Sequence, residues 1–139
     1  MAITFTSHEI VFNLKNKIKI RNWIKSIIKE NKKKDGSIAY IFTSENYILK
    51  INNDYLKHNY FTDIITFDYS QNDIVEGDIF ISIETVLSNS KKFKTTFEEE
   101  ILRVIIHGVL HLIGFKDKTS EQKRNMRSLE DKALLSLKK

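Results

Sequence analysis

The apolar run between Phe97 and Ile113 constrains this chain more than any other stretch. Ile101, Leu102, Val104, Ile105, Ile106, Val109, Leu110 and Leu112 crowd it. Thr96-Phe-Glu-Glu99 opens it with the pattern of a capping box, in which Thr96 accepts from an early backbone amide and Glu99 reaches back. Apolar residues cover nearly the whole circumference of such a helix, so it has to lie buried at the centre of a fold. Beyond the first turn its polar residues are Arg103, His107 and His111, and these line one stripe. Histidines four apart sit one turn above each other, roughly 6 Å along the axis. Two imidazoles on one face can share a metal ion. Gly108 stands between them at a cost of about 1 kcal/mol relative to alanine, which points to close packing there. Gly114 lets the helix stop and the chain turn, bringing Asp117 within reach as a third ligand. Three protein ligands leave a position open, the pattern of a catalytic rather than a structural site.

The nearest generic motif, His-Glu-x-x-His, uses its glutamate as the general base of a zinc protease. Here Gly108 occupies that position, so peptide hydrolysis lacks its usual proton acceptor and metal-assisted hydrolysis of another bond is favoured. With no cysteine, disulfides, thiolate zinc sites and thiol nucleophiles are excluded. A length of 139 residues fits one domain, 1–139, with a real core. The net charge of +5 favours a polyanionic partner. Its lysines cluster at Lys32-Lys33-Lys34, at Lys91-Lys92-Phe93-Lys94 and around Asp117 as Lys116 and Lys118. For the first two clusters a solvated surface competes with a nucleic-acid patch, whereas any substrate at the metal passes near the third. The N-terminus has no signal-peptide pattern and no apolar run is of membrane length, so a cytoplasmic protein without membrane contact is expected.

Elsewhere the pattern predicts an α+β chain. Ile3 to Leu14 alternates poorly and reads as one irregular strand, while Ile20, Trp23, Ile24, Ile27 and Ile28 fall at helical spacing up to about Asn31. Lys33-Lys34-Asp35-Gly36 reads as a turn, and Ser37 to Thr43 as a strand. Ser44 caps a helix running to about Lys57, with Ile48, Leu49, Tyr55 and Leu56 inward. Strands at Asp63 to Tyr69 and Asp78 to Ile83 flank a polar loop, Ser70 to Gly77, and a short helix runs from Glu84 to Lys92. Thr119 to Gln122 repeats the capping-box pattern before a last helix through Met126, Leu129, Leu134 and Leu137.

The segment His107-Gly-Val-Leu-His111-Leu-Ile-Gly-Phe resembles the signature of the YbeY family, bacterial metal-dependent endoribonucleases associated with ribosomal RNA maturation. Tyr55 with Thr62-Asp63-Ile64-Ile65-Thr66-Phe67 is similar to a second stretch of that family, and Gly77-Asp78-Ile79 to a third. Met126, Leu129 and Glu130 fall where its last helix tends to have them. The resemblance spans roughly Asn52 to Glu130. It implies a small mixed sheet of about four strands covered by helices, with the histidine helix at the centre. It also implies zinc, single-stranded RNA as substrate, 3′-end maturation of small-subunit ribosomal RNA, ribosome quality control, and the ribosome or small-subunit proteins as partners.

Two departures from the family pattern matter. Asp117 stands where the family usually has a third histidine, ten residues after the first. A carboxylate lowers the charge of the loaded site and makes harder metals such as Mn²⁺ or Fe²⁺ more competitive with Zn²⁺. The family's arginine after the tyrosine aligns with Leu56, leaving adjacent Lys57, or Arg103 one turn before His107, to steady a phosphate together with Lys116. Lys57 reads equally as a solvated helix end, and Asp117 as a turn carboxylate. Thr62 and Asp63 are placed as substrate-groove residues, and His58 as an acid or base if its loop lies over the metal. Asp78 is a candidate acceptor for a ligand histidine. The rival function is a non-catalytic ribosome-assembly or RNA-binding factor whose metal is structural.

Overall fold

Alternation along two of the strands sets the layers. In the computed structural model, which describes residues 2–55 and 62–138, Ile38, Tyr40 and Phe42 of one strand and Val75, Ile79 and Ile81 of another are buried in the main core. Between them, Phe80 turns to the opposite face with Ile65 and Phe67. The elements are β1 (Ile3–Ser7), α1 (Lys17–Glu30), β2 (Lys34–Thr43), α2 (Glu45–Tyr55), β3 (Ile64–Asp68), β4 (Ile74–Ser82), α3 (Ile83–Lys92), α4 (Phe97–Ile113) and α5 (Ser120–Leu137). The sheet order is β1-β2-β4-β3. Strands β1, β2 and β4 run parallel, and β3 returns antiparallel to β4. This is the expected α+β fold on a four-stranded mixed sheet.

Helix α2 covers one face through Ile48 and Ile51. The other face carries the main core, where α4 lies against β3 and β4 and is itself covered by α1, α3 and α5. Two buried hydrogen bonds pin these layers. The Tyr40 hydroxyl donates to the Ile105 carbonyl at 2.9 Å, and the Trp23 indole N–H donates to the Ala133 carbonyl at 2.9 Å. Ser44, Thr96 and Thr119 accept from the amides of Tyr47, Glu99 and Gln122, so the capping residues are those the sequence predicts. At Thr119 the full reciprocal box forms.

Several boundaries differ from the pattern-based expectation. Strand β1 stops at Ser7 because the chain turns there, with Glu9 at φ 60°. Phe12 and Leu14 owe their apolarity to packing as a loop against the core. Strand β2 begins at Lys34, since the turn is made earlier with Lys32 at φ 59°. Strand β4 begins at Ile74, where it pairs with Lys34, so the polar residues Glu76 and Gly77 belong to a strand and not to a loop. Tyr55, expected inward, is 72% exposed at the end of α2. Leu56 lies outside the described residues.

Gly108 shows why α4 tolerates glycine. A Cβ built there would lie 3.0 Å from two carbons of Ile79 and 3.1 Å from Ile64 Cδ1, so the helix backbone rests directly on β3 and β4. Gly108→Val is expected to destabilise the metal-free protein by about 2 kcal/mol, because a buried, close-packed neighbour has to shift. An unchanged thermal midpoint would show that the helix has room to move off the sheet.

Candidate metal centre

Helix α4 presents His107 and His111 one turn apart on a half-buried face, with ring centroids 4.5 Å apart. The helix then ends at Gly114, whose φ of 127° is one that L side chains rarely adopt. The amides of Gly114 and Phe115 donate back to the Leu110 carbonyl, closing the last turn. The short connection to α5 carries Asp117 back over the histidines. His107 Nε2 and His111 Nε2 are 3.0 Å apart, and each is 3.3 Å from Asp117 Oδ2.

That triangle fits a metal. Nitrogen and oxygen ligands at about 2.0–2.1 Å in tetrahedral array lie about 3.3 Å from one another. The three donor atoms are therefore already spaced as three corners of such an array, and they are the group among the described residues that could hold an ion. Behind them stands a residue that sequence reasoning left without a role. Glu130 of α5, buried, places Oε2 at 2.6 Å from His107 Nδ1. A carboxylate at that distance requires the proton on Nδ1, which leaves the Nε2 lone pair aimed at the triangle. The sequence did hold a signal: Met126, Glu130, Ala133 and Leu134 form the buried stripe of α5, and one member is a carboxylate. Asp78, the acceptor expected from the sequence, instead takes a hydrogen bond from the Tyr69 hydroxyl at 3.4 Å.

Arg103 is held on this same scaffold. Its Nη1 donates to Glu130 Oε1 at 2.9 Å and its Nη2 to Asp131 Oδ1 at 2.7 Å, so both arms of the guanidinium are engaged. Burial works against the Arg103 charge, and the two carboxylates outweigh it. For His107, burial alone would push the imidazole down, but the hydrogen bond and charge of Glu130, with Asp117 and Asp63 beyond, turn the net shift upward. Lys116 is exposed beside Asp117. The Thr62 hydroxyl points to the Ile64 carbonyl at 3.4 Å. Asp63 lines a pocket of about 280 Å³ that opens onto His107 and Asp117, and burial pushes its carboxyl up. Lys57 and His58 lie outside the described residues.

Three facial donors, backed by a buried carboxylate and opening on a pocket, on an α+β scaffold, define the class: a protein with one open donor set that could hold a metal ion. The sequence matches the family described as Endoribonuclease YbeY over residues 3–138. It is 48% identical over 128 residues to the Endoribonuclease YbeY of Flavobacterium psychrophilum, covering 92% of this chain and 91% of that one. It is 47% identical over 134 residues to that of Bacteroides fragilis, covering 96% of each. A solution structure of a Thermotoga maritima protein matches with a TM-score of 0.68 and 25% identity, over 98% of this chain and 89% of that one. This chain belongs to the endoribonuclease YbeY family. Among the described residues no helix is long and apolar enough to cross a membrane.

Proposed function

We propose that this chain is a metal-dependent endoribonuclease, one domain over 1–139, that cuts single-stranded RNA with His107, His111 and Asp117 holding the metal. The observation that carries the reading is the donor triangle with Glu130 fixing the His107 tautomer. A divalent ion bound there supplies positive charge to a phosphoryl oxygen and lowers the pKa of water. The chain's own residues do the rest. Asp117 and the histidines fix the ion's position, and Glu130 keeps His107 oriented. Arg103 neutralises Glu130, and Lys116 offers a point charge to the RNA backbone at the rim. Lys57, adjacent to the position of the family's missing arginine, remains a candidate for phosphate contact, and His58 for proton transfer if its loop lies over the metal.

The substrate we propose is the 3′ end of precursor small-subunit ribosomal RNA, met on the ribosome or with small-subunit proteins in the cytoplasm. Membership of the family and the basic surface support it. The test is cleavage of a single-stranded 3′ fragment of that precursor by metal-reconstituted protein. Cutting should be lost on chelation and restored by the metal; cutting that persists in chelator would end the proposal.

Zinc is the metal we propose, with weaker selectivity than a three-histidine site because Asp117 is a hard, charged donor. In competitive dialysis Asp117→His should retain zinc over manganese more strongly than the parent does. Equal retention by both proteins would mean that Asp117 does not set the preference.

A further inference from the structure

The pocket beside the metal donors has a chemistry that metal binding leaves unused. It holds about 280 Å³, and Asp63, Glu100, Phe93 and Arg127 line it beside His107 and Asp117. Glu100 is the telling residue. The residue is only 6% exposed, it lines the pocket, and its carboxylate makes no hydrogen bond or ion pair to another described residue. Burial pushes that carboxyl up, and Asp63 adds to the effect, while Arg103 and Arg127 pull the other way from beyond contact. Facing the pocket, that carboxylate is an acceptor left for a ligand, and one bearing N–H groups would give it donors in place of water.

We propose that this pocket is a base-binding subsite and that it selects guanine at the nucleotide whose phosphate meets the metal. The inference rests on the endoribonuclease reading for the presence of RNA, though not for the chemistry of the pocket. Glu100 precedes His107 by seven residues, so the two share one face of α4 about 10 Å apart along its axis. A nucleotide spans that distance from its phosphate to the far edge of its base. Guanine offers two parallel donors on that edge, N1–H and the N2 amino group, which match the two oxygens of one carboxylate. Adenine and cytosine place an acceptor nitrogen beside their single amino group, and uracil flanks its N–H with two carbonyls, so each brings a lone pair against Glu100. Arg127, exposed and without a hydrogen bond or ion pair among the described residues, can donate to the O6 and N7 acceptors. Phe93, 55% exposed at the end of α3, offers a ring for stacking, one side of which carries Lys92 Nζ at 5.7 Å.

The experiment titrates metal-reconstituted protein with guanosine, inosine and adenosine 5′-monophosphates, following the Glu100 amide and Phe93 ring signals by nuclear magnetic resonance. Inosine keeps N1–H and lacks only the N2 amino group. The guanine nucleotide should bind about tenfold tighter than the inosine one, the worth of one hydrogen bond to a charged acceptor, and the adenine nucleotide more weakly still. Glu100→Gln should erase the difference between guanine and inosine, and Phe93→Ala should weaken all three nucleotides alike. If Glu100→Gln does not fold, Glu100→Asp, which keeps the charge and draws the carboxylate back by one methylene, carries the same comparison and should shrink the difference between guanine and inosine. Equal affinities, no binding at saturating millimolar nucleotide, or a guanine preference that survives Glu100→Gln would overturn the proposal. Guanine preference in a protein that cuts no RNA would keep the subsite and remove the endoribonuclease reading. Cleavage without any base preference would remove the subsite alone.

Discussion

Replacing His111 with alanine is expected to give a folded protein that no longer holds stoichiometric metal and cuts RNA about a thousandfold more slowly or worse. The size follows from what is lost. Metal-supplied charge at a phosphoryl oxygen is worth several kcal/mol, and each factor of ten in rate corresponds to about 1.4 kcal/mol. The fold should survive because the His111 ring is a quarter exposed on the outer stripe of α4, and its polar contacts among the described residues are with the other two donors, His107 and Asp117. Alanine is also the better helix former. Metal content, a thermal melt in chelator and cleavage of the precursor fragment, all on the same preparation, check the three parts. Wild-type cutting rates in the variant would assign the activity to something other than this site. An inactive variant that retains full metal would move the ion off His111 and require another donor set.

How much of this was legible in the residues depended on whether the information was local. The buried α4 helix, its caps and the two-histidine stripe were legible because helical periodicity concentrates them within seventeen residues. Gly108 and Gly114 could be read as a close approach and a turn, since backbone chemistry restricts what glycine is used for. The start of β4 was not legible: Glu76 and Gly77 look like loop until β2 is laid beside them. Glu130 was equally hidden. Its partners Arg103 and His107 lie 27 and 23 residues away, and only the packing of α5 on α4 joins them. The Glu100 pocket belongs to the same class, since α3, α4, α5 and the residues before β3 have to meet before it exists.

Glu130 is where the second large effect is expected. Its two oxygens serve two donors, His107 Nδ1–H and Arg103 Nη1, in a buried setting. Glutamine has the same shape but only one acceptor, so its amide N–H₂ must face one of those donors. Glu130→Gln should therefore weaken metal binding by about 10- to 100-fold, measured by titration against a competing chelator, while Lys116→Gln at the rim should leave metal affinity unchanged. The metal-free protein should also record the change as a pH dependence. The His107 pKa is raised in the folded state, so the stability it contributes is fully present below the unfolded value and is lost as pH rises through the folded one. The variant lacks the main cause of that rise. The gap in thermal midpoint between parent and variant should thus be wider near pH 6 than at pH 8. A gap that stays constant over that interval would mean Glu130 acts through Arg103 and packing alone, and that it does not set the protonation of His107.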